Sequence, residues 1–376
     1  MRALPLLIGL LISGVAFAAE LSEIEIIERL RAEGATVALN SEGNALAVNL
    51  TSTWVTDADL SLVAALPKLE TIDLSLTKIT DIGLEHLKPL ENVRHLVLDH
   101  AEFFTDNGIA HFKHWQLETL NLRGTKITSR VFDYIKALTT LRDLDLSHTE
   151  VTDSGFEELA ELTKLERLAI GGNRILGPAL DLLKLVPSLR HLDVSGIQRV
   201  DSGLWGIALN DVNVGRLARL TQLESLNLAG ANISDRGLDR PGHELARRKE
   251  LDSLPKISPL VSLRELDLTR THVDNAGLAV VVELSNLRRL RLGYAANIDD
   301  GAIPTLTHLP HIEELQLAAT SIGNATLDAL QKVATLRKLT VGGTNVTPGG
   351  ISRFHAARPD CELIWWPAAS PVSSEE

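Results

Sequence analysis

The residues best placed to do chemistry in this chain are arginines. Arg288, Arg289 and Arg291 fall within four positions, Arg264 precedes Arg288 by one spacing of the pattern described below, and Arg270 is near. Guanidinium forks of this kind take up carboxylate or phosphate groups through paired hydrogen bonds. A second basic run, Arg247, Arg248 and Lys249, lies in the segment DRPGHELARRKELDSLPK. The patch is expected to meet an acidic protein surface or an anionic glycan. Neutralisation by Glu265, Asp267, Glu313 and Glu314 in the same stretch is the competing expectation. His111 and His114 are three residues apart, but a zinc site needs a third ligand with matched geometry, which the spacing does not supply. Cys361 is the single cysteine, and no base stands near it in the sequence, so burial is expected rather than nucleophilic chemistry. Gly171 to Pro178 is glycine-rich, but its spacing matches neither a phosphate loop nor a dinucleotide fingerprint, and Asn173 is expected to serve a turn. No metalloprotease, serine-hydrolase or paired-cysteine motif occurs. The expectation is a protein with no catalytic residue, no cofactor and no metal.

Composition narrows the partners. The chain has 376 residues, 44% of them hydrophobic and 23% charged, which is the make-up of a folded globular protein. Its net charge of −12 disfavours broad nucleic-acid or anionic-membrane binding, which needs an extended basic surface. One cysteine cannot form an internal disulfide.

The elements that position these residues are repeats. Leu69, Val93, Leu117, Leu141, Leu165 and Leu189 follow one another at intervals of 24 residues, and the series continues through Leu223, Leu263, Leu287, Ile312 and Leu336 and back to Ala45. In the unit LRDLDLSHTEVTDSGFEELAELTK, from Leu141, apolar residues recur at offsets 0, 3, 5, 10, 15, 18 and 21. Offsets 3 and 5 alternate with polar residues, which is a short strand with one buried face. The last three are spaced by three, which is a helical or 3₁₀ face. Between them Thr/Ser-Asp-x-Gly marks a helix start, as at Thr80-Asp81, Thr105-Asp106, Thr152-Asp153 and Ser234-Asp235. So small a unit cannot offset the entropy of ordering its own backbone, so neighbours must stack into one continuous solenoid domain. Charges at offset 1 alternate along the series from Glu70 to Arg337 except at Arg264 and Arg288, which reads as a register-favouring ladder.

The pattern L-x-x-L-x-L-x-x-T-x-I-T-D-x-G-L-x-x-L-x-x-L resembles leucine-rich repeats, of the subtype found in exported bacterial proteins and related to the repeats of F-box proteins. The resemblance covers residues 45–360. It implies an α/β, right-handed leucine-rich-repeat solenoid of about twelve repeats, with parallel strands on the concave face and short helices on the convex face. At about 4.8 Å per strand its inner arc would span roughly 53 Å. Residues 19–44 look like an N-terminal cap, with a helix from Glu23 to Arg31. Phe354 to Pro359 and the strand 361–366 look like the closing cap, with Trp365 and Trp366 covering the last apolar face. The tail 367–376 is expected to be disordered. Inserts near 205–217 and 239–256 lengthen two units.

Residues 1–18, MRALPLLIGLLISGVAFA, have a basic start, a short apolar run and a small-x-small end. They read as a signal peptide cleaved after Ala18, with no membrane span thereafter. The functional expectation is a non-catalytic scaffold, secreted or periplasmic, that binds a protein partner. The alternatives are an envelope structural or glycan-binding protein and, less favoured, a ligase-type effector using Cys361.

Overall fold

The computed structural model describes residues 21–175, 177–196, 209–211, 213–234 and 257–368. The expected signal peptide, residues 205–208 and 212 of the first insert, the whole of the second insert with Arg247, Arg248 and Lys249, and the tail from residue 369 lie outside the described residues. The chain groups into two compact units, residues 1–141 and 142–376.

The first unit opens on the helix Glu23–Ala32. Ser22 caps it: its hydroxyl accepts from the Glu25 N–H, and the Glu25 carboxylate accepts from the Ser22 N–H at 2.8 Å. Strand β1 (Thr36–Leu39) runs antiparallel to β2 (Ala45–Asn49), pairing Val37 with Val48. Glu23 ties the helix to β2 by accepting from the Ala45 N–H at 2.7 Å. The N-terminal cap is thus a helix and one antiparallel strand. From β2 onward the strands are parallel, one per repeat: β3 (Thr71–Asp73), β4 (His95–Val97) and β5 (Thr119–Asn121).

The second unit carries β6 (Asp143–Asp145), β7 (Arg167–Ala169), β8 (His191–Asp193), β9 (Ser225–Asn227), β10 (Glu265–Asp267), β11 (Arg289–Arg291), β12 (Glu314–Gln316), β13 (Lys338–Thr340) and β14 (Glu362–Ile364). Each is parallel to the next. Leu192, Leu226 and Leu266 stand in register although 34 and 40 residues separate them, so the inserts leave the ladder undisturbed. Strands β2 to β13 are the twelve repeats, four in the first unit and eight in the second.

The interior follows the offsets. In the unit from Leu69, residues Leu69, Ile72, Leu74, Ile79, Leu84, Leu87 and Leu90 are all buried. Short helices or 3₁₀ turns return the chain on the other side, among them Asp81–His86, Asp106–Ala110, Pro178–Leu182 and Asn324–Leu330. Thr80 and Thr105 cap the first two through their hydroxyls. Among the described residues, strand alternation and helical return give the α/β leucine-rich-repeat solenoid.

One backbone feature escapes the hydrophobic pattern. The eighth residue of the repeat takes a left-handed conformation, which turns the chain out of the strand. Seven such residues are not glycine: Ser52, Leu76, His100, His148, Arg270, Tyr294 and Ala319. None is β-branched, the type least able to adopt positive φ. Their N–H groups donate to the following repeat, as Leu76 does to Asp99 O and Tyr294 to Ala318 O, both at 2.8 Å.

The closing cap differs from the reading of the sequence. Its helix runs Pro348–Ala357, starting six residues before Phe354, because Thr347 caps it and Pro348 supplies a first-turn residue that needs no N–H partner. Phe354 and Cys361 are buried, whereas Trp366 lies against Gly342 and keeps 46% of its surface open.

Candidate functional site on the sheet of the second unit

Residues at offsets 2 and 4 of each strand point away from the core and form two columns across the sheet. In the second unit, offset 2 runs Asp143, Arg167, His191, Ser225, Glu265, Arg289, Glu314, Lys338, Glu362. Offset 4 runs Asp145, Ala169, Asp193, Asn227, Asp267, Arg291, Gln316, Thr340, Ile364. The aspartates of offset 4 have a structural task. Asp145, Asp193 and Asp267 each accept the backbone N–H two residues on, from Ser147, Ser195 and Thr269, at 2.8 Å. These are Asx turns that end the strands.

A cleft of about 280 Å³ opens over β6 to β11. Its floor is low because Ala169, Ser225 and Asn227 are short, and Arg167 and Arg291 stand at its sides. Five carboxylates line it (Asp143, Asp145, Asp193, Glu265 and Asp267) against two guanidinium groups, an excess of three negative charges. Burial pushes the Asp143 carboxyl above its ordinary range, and Asp145 adds to this, while Arg167 and His191 pull it back. Burial lowers His191, reinforced by Arg167, while Glu224, Glu166 and Asp143 pull it back.

The arginines expected to form a free basic patch are engaged. Arg264 pairs with Glu224 at 3.5 Å, Arg288 with Glu313, Arg289 with Glu265, and Arg291 with Asp267 at 3.9 Å. Arg270 lies over the Tyr294 ring, 4.9 Å from its centroid. Three of the four carboxylates anticipated as neutralising therefore do so, because the parallel register sets them one strand away. Only Arg291 of these five lines the cleft. The residue that sequence reasoning passed over is Arg167, which forms no ion pair among the described residues. Its signal was its place in the offset 2 column. The offset 1 ladder forms in part: Arg142 pairs with Glu166 at 2.5 Å, but Arg337 takes Asp360 instead of Glu313.

The remaining candidates are structural. His111 ends the helix Asp106–Ala110, and the His114 ring lies 3.4 Å from Lys88 O. No group of three metal-binding side chains occurs among the described residues. Cys361 is buried, and burial pushes its thiol up, away from the thiolate that nucleophilic attack requires. Asn173 is fully buried, donates to Leu146 O at 2.8 Å and accepts from the Thr149 N–H at 2.7 Å, so it joins two repeats. Among the described residues no helix is long and apolar enough to cross a membrane.

The family model described as Leucine Rich repeat matches residues 65–88, 137–160 and 220–239. No curated protein matches the chain. Among solved structures, an internalin (inlF) from Listeria monocytogenes is 19% identical, with a TM-score of 0.57 over 92% of this chain and 93% of its own, and it supports the fold. A leucine-rich-repeat protein of Leptospira interrogans is 17% identical, with a TM-score of 0.45 over 81% of this chain and 80% of its own. The Arabidopsis receptor kinase HAESA, solved with the peptide hormone IDA and the co-receptor SERK1, is 15% identical, with a TM-score of 0.49 over 96% of this chain and 54% of its own.

Proposed function

We propose that this chain is an exported, non-catalytic recognition scaffold that holds a protein partner against the sheet of its second unit. Leucine-rich repeats serve generally as interaction or ligand-recognition scaffolds. The observation that carries the reading here is the cleft over β6 to β11, where polar side chains face outward above a floor of short residues. Export rests on residues 1–18, whose charge, apolar run and small-x-small end are those of a cleavable signal. The buried thiol of Cys361 speaks against a ligase mechanism, and Cys361→Ser is expected to leave function intact.

The test is capture from envelope and medium of the source cells with the purified chain and two variants. Ser225→Trp fills the cleft floor. Glu157→Trp places the same bulk on the helical side, where Glu157 is exposed. A partner held by wild type and Glu157→Trp but lost with Ser225→Trp supports the sheet face. Capture that ignores Ser225→Trp overturns it.

A glycan is the second reading, favoured by Trp54 in the first unit. Its indole is 82% exposed beside a cavity of about 460 Å³ bounded by Ser52, Leu76 and Lys78. A flat aromatic face with one polar edge suits a sugar ring. Retention on immobilised envelope polysaccharide, abolished by Trp54→Ala, would favour it.

A further inference from the structure

The offset 4 column of the second unit has a gap in both charge and volume at one position. Ala169 lies in register between Asp145 on β6 and Asp193 on β8. At about 4.8 Å per strand, the two aspartates stand about 9.6 Å apart at their Cα atoms. Elsewhere the chain supplies its own donor to such an aspartate. In the first unit Asn49 donates to Asp73 at 3.0 Å; in the second, Asn227 donates to Asp193 at 2.8 Å and Arg291 approaches Asp267. Beside Asp145 the slot holds only a methyl group. The inner oxygen of Asp145 accepts the Ser147 N–H, and its outer oxygen accepts nothing among the described residues. The nearby cations are committed: Arg289 and Arg291 to Glu265 and Asp267, and Arg142 to Glu166. Arg167 acts on the offset 2 column, on Asp143 and His191.

We infer that the slot above Ala169 receives a lysine side chain of the protein partner, its ammonium seated between Asp145 and Asp193. This rests on the sheet-face reading above. The chemistry selects lysine over arginine. Each aspartate has its inner oxygen occupied by a turn N–H; the outer oxygen of Asp145 accepts nothing among the described residues, and that of Asp193 accepts one N–H from Asn227 and keeps a second lone pair, so each side of the slot offers a single acceptor position. A compact ammonium with three donors satisfies two such acceptors, whereas a planar guanidinium needs a bidentate carboxylate. The short floor at Ala169 and Ser225 admits the alkyl stem, and the excess of negative charge in the cleft steers a cation toward it.

The probe is a short fluorescent peptide of alternating serine and lysine, measured by anisotropy against the full chain at low ionic strength. Its acetyl-lysine counterpart keeps the length and loses the charge. The lysine peptide is expected to bind at least about tenfold more tightly than the acetylated one. Ala169→Lys supplies the missing ammonium from within and is expected to weaken binding about tenfold while leaving the thermal midpoint unchanged or raised. Asp145→Asn with Asp193→Asn keeps both turns and is expected to weaken it similarly. Glu85→Gln with Glu157→Gln removes the same charge from exposed sites and is expected to change binding less than about twofold.

The proposal is overturned if the lysine peptide fails to bind, if acetylation makes no difference, if Ala169→Lys binds as wild type does, or if the Glu85 and Glu157 pair loses as much as the aspartates. Capture separates the two levels. A partner lost with Ser225→Trp but retained by Ala169→Lys overturns the lysine slot and leaves the sheet-face reading standing. A partner retained by both overturns that reading.

Discussion

Asp81 of one repeat holds Thr105 of the next through both carboxylate oxygens, one accepting the Thr105 N–H and the other its hydroxyl, each at 2.7 Å. The same pair links Asp57 to Thr80, Asp106 to Thr128 and Asp211 to Ser234. The Thr-Asp-x-Gly signature therefore has two tasks. The threonine caps its own helix, and the aspartate fixes the start of the following one. Asp81→Ala is expected to destabilise the first unit by about 0.5–1.5 kcal/mol, since it removes two hydrogen bonds whose donors on the exposed Thr105 are then left to water. A urea titration reports this as a lowered midpoint. An unchanged midpoint would reduce the contact to a by-product of stacking.

The glycine of the signature follows from that contact. A Cβ at Gly108 would lie 2.7 Å from a carboxylate oxygen of Asp81, and one at Gly350 would meet the Asn324 side-chain oxygen. Glycine is there for space. At Gly350 the nearest atoms all belong to the Asn324 side chain, which makes a clean double-mutant cycle. Gly350→Ala is expected to cost about 1–3 kcal/mol in the wild-type background. In Asn324→Ala most of that cost should vanish. Additive effects of the two changes would show that Gly350 answers to something other than Asn324.

Gly172 and Gly343 share the left-handed column, at φ 74° and 70°, but not their surroundings. A Cβ at Gly172 would run into the His148 ring, whereas one at Gly343 would have its nearest neighbour, Trp366 Nε1, at 3.6 Å. Ala319 shows that alanine can occupy the column. Gly343→Ala is therefore expected to cost only the backbone preference, about 1–2 kcal/mol. Gly172→Ala should cost at least about 1 kcal/mol more, because overpacking adds to the backbone term. His148→Ala should remove that excess. Equal thermal shifts for the two glycines would contradict this.

The core was legible because seven apolar offsets recur at a fixed spacing, and a strand and a helix of fixed length leave little freedom in where Leu144 or Leu168 can point. The register across the inserts was legible in the same way, since Leu192, Leu226 and Leu266 keep their place in the motif. The start of the closing helix at Thr347-Pro348 carried a cap signal that the aromatic run downstream overshadowed. The fate of Arg289 was not evident along the chain, because its partner Glu265 is 24 residues away and becomes a neighbour only when strands are laid side by side. Ala169 is harder still. A sequence advertises the side chains it has, and the slot consists of one that is missing.

Arg358 closes the second unit, and acid should open that lock in a defined window. The side chain, only 8% exposed as a residue, donates to Val333 O at 2.6 Å and Leu336 O at 2.7 Å, and its other donors meet the Asp360 carboxylate at 2.9 and 3.0 Å. The hydrogen bonds from Arg358 pull Asp360 down to about 2 from 3.8, further helped by Arg337. A carboxylate depressed in the folded state contributes stability that is fully present above its unfolded value and is lost as pH falls through the folded one. The Asp360 contribution should thus hold at pH 5 and fade between about 4 and 2. Asp360→Asn should melt below wild type at pH 5 and converge with it near the acid end. Arg358→Ala should cost more, about 1–3 kcal/mol for each stranded carbonyl, with a larger deficit than Asp360→Asn at every pH. Thermal melts of the three proteins across the window decide the matter: a wild-type advantage over Asp360→Asn that persisted undiminished at pH 2 would place the stabilisation in something other than the charge on Asp360.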